Sequence, residues 1–141
     1  MDKPEVSGKV ISIPSDAIYL ADVDDFVYEI FGKAGLSKSS IADFAISVSE
    51  IVNNAIAYGS GGDSSSPVTV KIEVSRNEAS ICIQDKGPGF NPDSLPDPLD
   101  KDNLLKQVGR GIFIVRSLMT SVDFNITDDG TEVVLKKSIN E

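Results

Sequence analysis

The chain has 141 residues, 40% of them apolar and 25% charged, with a formal net charge of -9. That length suits one domain, residues 1–141, with a proper core, and the acidic balance argues against direct nucleic-acid binding, which draws its affinity from Lys and Arg. The absence of histidine excludes His-based triads, His-Glu-x-x-His zinc sites and phosphohistidine chemistry within this chain, and without a membrane-length apolar run or signal-like start a cytoplasmic location with no membrane partner is expected.

Val6, Val10, Ile11 and Ile13 predict a first strand over residues 5–13, ended by Pro14. Ser15 reads as an N-cap with Asp16 in the first turn of a helix that runs to about Ala34. Ile18, Val23, Phe26, Val27, Ile30 and Phe31 form its apolar stripe, and Gly35 closes it. A second helix is expected from near Ser37 to about Tyr58, with Ile41, Phe44, Ala45, Val48, Val52 and Ala55 at helical spacing. Glu50 and Asn54 then stand about 40° apart, opposite Val48, on a face shared with Asp43 and Ser47. Such a face is either solvated or, since Ile46 and Ala57 also lie on it, the lining of a cavity.

Gly59 through Ser66 reads as a flexible connector, and the chain contains no Gly-Lys-Ser/Thr, so a P-loop is absent. Val68, Val70, Ile72 and Val74 alternate with polar residues, and after Arg76-Asn77-Glu78 so do Ala79, Ile81 and Ile83. The two runs predict an antiparallel hairpin. Cys82, the single cysteine, lies in its second strand and reads as a core or surface thiol. One-sided alternation in successive strands implies a sheet with helices on one face, hence α+β rather than doubly wound α/β.

The second strand runs into Asp85-Lys86-Gly87-Pro88-Gly89-Phe90. Two glycines and a proline turn the chain sharply and let a backbone or ligand approach, while an ionised Asp at a pocket mouth selects a hydrogen-bond donor. Taken alone, the tract reads first as an ordinary tight turn with a solvated Asp. Residues 91–108 carry Pro92, Pro96, Pro98 and an acidic cluster, the composition of a lid, a binding loop or a disordered segment. Gly109-Arg110-Gly111-Ile112 then opens a helix containing Ile114, Val115, Leu118 and Met119. Glycines just before a helix leave free N–H groups at its positive end, an anion site, or serve close packing against the sheet. Two last strands, with Val122, Phe124 and Ile126, then Thr131, Val133 and Leu135, flank an Asp128-Asp129-Gly130 turn.

Glu50-x-x-x-Asn54, Asp85-x-Gly87-x-Gly89, the 91–108 lid, Gly109-x-Gly111-Ile112 and Gly130-Thr131, in that order, resemble the gyrase and histidine-kinase-like ATP-binding (Bergerat) fold. Gyrase, histidine kinases, mismatch-repair ATPases and a heat-shock chaperone share it. Within that superfamily the chain most resembles the free-standing anti-sigma factor serine/threonine kinases, over roughly residues 10–137. The stretch from Val48 to Ile56 resembles their nucleotide-and-metal box, and Arg110 to Met119 the helix after their second glycine box. Tyr58 departs from the pattern, standing where many relatives have His.

The resemblance implies a two-layer α/β sandwich with a mixed, mostly antiparallel sheet. It implies that Asp85 accepts from the adenine amino group, supported by Thr131, with Gly87 and Gly89 allowing the backbone close to base and sugar. Asn54 would give its oxygen to Mg²⁺, a hard cation that bridges phosphates. Gly109, Arg110, Gly111 and Ile112 would hold the phosphate tail of ATP. Glu50 would be the general base for an attacking hydroxyl. The implied function is an anti-sigma factor that binds an alternative sigma factor and phosphorylates a Ser or Thr of a small anti-anti-sigma antagonist, as a homodimer. The competing reading is a non-catalytic module in which nucleotide only shapes a partner surface.

Overall fold

The computed structural model describes residues 2–59, 66–86, 102–127 and 130–139. Two short strands come first, β1 (Glu5–Ser7) and β2 (Val10–Pro14), where the sequence predicted one. Gly8, at φ 59°, makes the turn that folds them into a hairpin. A single 3₁₀ turn (Ala17–Tyr19) leads into α1 (Leu20–Ala34). The cap is Asp16 rather than Ser15, its carboxylate accepting from the Ile18 N–H at 3.1 Å. The Ser15 hydroxyl instead donates to the Ser66 carbonyl at 2.5 Å. Gly35 ends α1 as predicted, in the left-handed region at φ 83°, with N–H groups of Gly35 and Leu36 returned to Gly32 and Phe31.

Ser37 caps α2 (Lys38–Asn54) by accepting from Ser40 N–H at 3.1 Å. The α-helix stops at Asn54 and continues as one π-helical turn, Ala55–Gly59. Strands β3 (Pro67–Val74) and β4 (Glu78–Asp85) form the predicted hairpin. They are followed by α3 (Asp102–Leu118), β5 (Ser121–Thr127) and β6 (Gly130–Ser138). The sheet runs β1-β2-β3-β4-β6-β5, and every pairing between described strands is antiparallel, so the parallel component expected of a mixed sheet is absent among them.

Ile11, Ile13, Val68, Val70, Ile72, Ile81, Ile83, Val133 and Leu135 point from one face of the sheet into a core that they share with Val23, Val27, Phe31, Phe44, Val48, Val52, Ile112 and Val115 of the helices. Phe31 and Phe44, from α1 and α2, pack with ring centroids 4.7 Å apart. Burying each such ring contributes about 2–3 kcal/mol. The opposite face carries Ser12, Thr69, Gln84 and Glu132 in register, with Ser12 and Thr69 hydroxyls 3.0 Å apart and the Gln84 amide donating to Glu132 at 2.8 Å. The two-layer α+β architecture is thus the expected one.

One difference bears on function. Helix α3 begins at Asp102, two turns before the position expected for it. Leu104, Leu105, Lys106 and Gln107 are good helix formers, enough to carry the helix through two glycines that each cost about 1 kcal/mol. Residues 102–108 of the predicted lid are therefore helical, and 91–101 lie outside the described residues.

Candidate functional site

Helix α2 carries its polar residues across the sheet. Its start lies by the β3–β4 turn, where Ser37 and Ser40 line one cleft with Val74, Ser75 and Arg76. Asp43 pairs with Lys137, near the end of β6, at 3.1 Å. Seventeen helical residues and eight strand residues each span roughly 25 Å. The end of α2 with Glu50 and Asn54 therefore lies toward the end of the sheet where β4 finishes at Asp85 and β6 begins at Gly130. Asp85 and Thr131 are direct partners in the β4–β6 ladder.

Ser47, Glu50 and Asn54 form one stripe of α2 at i, i+3, i+7. Of the two readings of this face, solvated or cavity-lining, the stripe of Ser47 and Asn54 follows the second, while Ile46 and Ala57 are exposed. Ser47 is 0% and Asn54 6% exposed, while Glu50 is half-buried. Among the described residues, the buried side-chain atoms without a hydrogen-bond partner are Ser47 Oγ, Asn54 Nδ2 and Thr131 Oγ1. Leaving a buried polar atom unmet costs about 1–3 kcal/mol, so these groups call for an explanation, and a bound molecule is one. The π-helical turn directly after Asn54 points the same way, since such turns concentrate at functional sites.

Glycine sets the two closest approaches. A β-carbon on Gly130 would fall on the Asp85 carbonyl oxygen and come within 2.9 Å of the Asp85 carbonyl carbon and 3.0 Å of Lys86 Cα. Only glycine lets β6 start this close to the end of β4, which fixes Thr131 beside Asp85. A β-carbon on Gly111 would overlap Glu50 Oε2 and stand 3.3 Å from its Cδ. Glu50 thus reaches across from α2 to α3. Neither contact is visible in the spacing of the sequence, although a glycine opening a strand is a signal of close approach.

Of the remaining predicted residues, Ile112 is core, Arg110 is exposed, and Gly87 and Gly89 lie outside the described residues. Gly109 and Gly111 sit inside α3 rather than ahead of it. Beyond the first four residues of a helix the N–H groups are taken by the ladder, so in this conformation the two glycines do not present the free donors expected of them.

The donor set fits a cation brought with a phosphate ligand. No group of three or more His, Cys, Asp or Glu among the described residues could hold a metal, so the described residues offer no carboxylate cage. The unmet atom of Asn54 is its Nδ2 donor, which calls for an acceptor such as a phosphate oxygen, while its amide oxygen is the hard ligand type that Mg²⁺ takes alongside phosphates and water. A cleft of about 210 Å³ nearby is lined by Thr69, Gln84, Asn125 and Glu132 of the open face as well as by Asp85 and Thr131. It lies mainly behind the sheet from Asn54. On that open face, burial, then the Glu132 charge, push the Cys82 thiol up to about 11, which disfavours the thiolate.

Residues 13–137 match the family model of the histidine kinase-like ATPase domain. The chain is 28% identical over 118 residues to the serine-protein kinase RsbW of Listeria innocua serovar 6a, covering 79% of this chain and 74% of that protein. It is 27% identical over 138 residues to RsbW of Staphylococcus aureus strain JH9, covering 90% and 87%. Among solved structures it resembles that of the RsbU and RsbW domains of Rv1364c from Mycobacterium tuberculosis, with a TM-score of 0.68 at 16% identity. That match covers 97% of this chain and 34% of the other. The blue-light activated histidine kinase of Erythrobacter litoralis EL346 gives a TM-score of 0.59 at 20% identity, covering 90% of this chain and 42% of that one. At these identities the structural matches bear on fold alone, while the family match spans the core, α2 and both strands of the Asp85–Thr131 pair: this chain belongs to the histidine kinase-like ATPase domain family.

Proposed function

We propose that this protein is an ATP-dependent protein serine/threonine kinase that works by partner switching. It binds and inhibits an alternative sigma factor and transfers the ATP γ-phosphoryl group to a Ser or Thr of a small antagonist protein. The observation that carries the reading is that Asn54, one turn after Glu50 on α2, and Thr131, the ladder partner of Asp85, each hold a buried polar atom without a partner. The similarity to RsbW serine-protein kinases supports the class of reaction.

In this scheme Asp85 accepts from the adenine amino group, with Thr131 beside it, and Gly87 and Gly89 admit the base and sugar. Asn54 turns its amide oxygen to Mg²⁺, which supplies charge neutralisation at the phosphates. Gly109, Arg110 and Gly111 receive the phosphate tail, which requires the first turns of α3 to open and release their N–H groups. Glu50 takes the proton from the attacking hydroxyl as its oxygen bonds to the γ-phosphorus and ADP leaves. The working unit is a homodimer in the cytoplasm. Labelled ATP, Mg²⁺ and antagonist proteins test the scheme. Glu50→Gln should lower transfer by ~10²–10⁴-fold while nucleotide binding survives. Transfer equal to wild type would show that Glu50 is not the base.

The second reading is a module in which nucleotide binding alone reshapes a partner surface. The helical state of residues 102–110 favours it, since a helix that must open on binding is a switch whether or not phosphate moves. Saturable nucleotide binding without turnover against any partner would select it.

A further inference from the structure

Glu50 and Gly111 make a contact that phosphoryl transfer does not itself call for. The carboxylate lies on the bare side of Gly111, where a β-carbon would push aside Oε2, the movable end of the Glu50 side chain, and stand 3.3 Å from Cδ. Gly111 is buried and Glu50 half-buried, so the contact lies at the α2–α3 junction and not in open solvent. Asn54 follows Glu50 by one helical turn on the same face, with its amide incompletely bonded. The carboxylate therefore occupies the space beside the glycine that receives phosphate in the scheme above, one helical turn from the Asn54 amide.

We propose that the Glu50 carboxylate, seated on Gly111, guards the phosphate end of the site and gives way when the terminal phosphate of a nucleotide arrives. The inference rests on the nucleotide-site reading and deepens it. A carboxylate and a phosphate are both anionic groups of exposed oxygens, and in a half-buried pocket like charges repel more strongly than in water. One seat cannot hold both. Phosphate entry then moves the base off its resting place, so the general base takes up its working position only when there is a phosphoryl group to transfer. Gly111 acts here as a positioning residue, because its missing side chain makes the seat.

Titration with adenosine and with Mg-ATP, for wild type and Glu50→Gln, separates the guard from the rest of the site. Removing the charge should tighten ATP about tenfold and leave adenosine, which carries no phosphate, unchanged. Equal changes for both ligands, or none for ATP, would overturn the guard while leaving the nucleotide site intact. Wild type that binds neither ligand would overturn the site and the guard together. The contact has its own readout without nucleotide. Gly111→Ala gains helix propensity in any background, so it should raise the melting temperature clearly in a Glu50→Ala background and by less, or not at all, in wild type, where the methyl must first displace the carboxylate. Equal changes in both backgrounds would remove the contact on which the proposal stands.

Discussion

The two ends of the sheet are built from similar parts and finished in opposite ways. At the end with the β3–β4 turn, polar groups are matched: the Ser75 hydroxyl donates to the Glu78 carbonyl at 3.0 Å and accepts from its N–H at 3.2 Å. The Asn77 carbonyl accepts from Ile139 N–H at 3.0 Å. Lys137 reaches both Asp43, at 3.1 Å, and the Leu118 carbonyl at the end of α3, at 3.0 Å. At the far end, Asn54 and Thr131 are buried with polar atoms unmet, and a half-buried carboxylate rests on a glycine. The second end also has matched groups, such as Gln84 with Glu132, but its unmet buried atoms on Asn54 and Thr131 are what a bound molecule would meet under the proposed function.

Substitutions at the two ends should accordingly separate stability from binding. The largest effect is expected at Gly130, where both are joined. Gly130→Ala drives a methyl into the Asp85 backbone, costing about 1–3 kcal/mol and displacing the Asp85–Thr131 pair. Urea unfolding should show the loss, and nucleotide affinity should fall by at least about tenfold, the worth of one charge-assisted hydrogen bond. Asn54→Leu should divide the two properties. An apolar side chain of similar shape removes an unmet buried amide, so the nucleotide-free protein should be as stable as wild type or about 1 kcal/mol more so. Its Mg-dependent gain in nucleotide affinity should vanish. A clearly less stable Asn54→Leu protein would mean that the amide serves the fold. Lys137→Met, at the matched end, should cost about 1–2 kcal/mol, since its ammonium is only partly exposed and serves two acceptors. Nucleotide affinity should not move. If it does, the two ends are not independent.

The sequence was most informative where chemistry is local. The β3–β4 hairpin, the Gly35 cap and the Ser37 start of α2 each follow from a few adjacent residues. The shared face of Glu50 and Asn54 follows from helical spacing alone. What it did not reveal depends on contacts between distant segments. The division of the first strand at Gly8 needs the φ of one residue and the pairing of Val10 with Lys71. Burial of Asn54 on a face that reads as polar is decided by how α2 lies on the sheet. The seating of Glu50 on Gly111, 61 positions later, has no signature in either motif. The early start of α3 was obscured because two glycines read as a helix boundary, while the helix formers before them outweigh that signal.

Asp85 is the carboxylate at the second end that would read the base. Titration of Mg-ATP into wild type and Asp85→Ala, followed by calorimetry, tests it directly. Saturable one-site binding by wild type, abolished in the variant while the melting temperature shows a folded protein, is the predicted result. Equal affinity in the two proteins would contradict it.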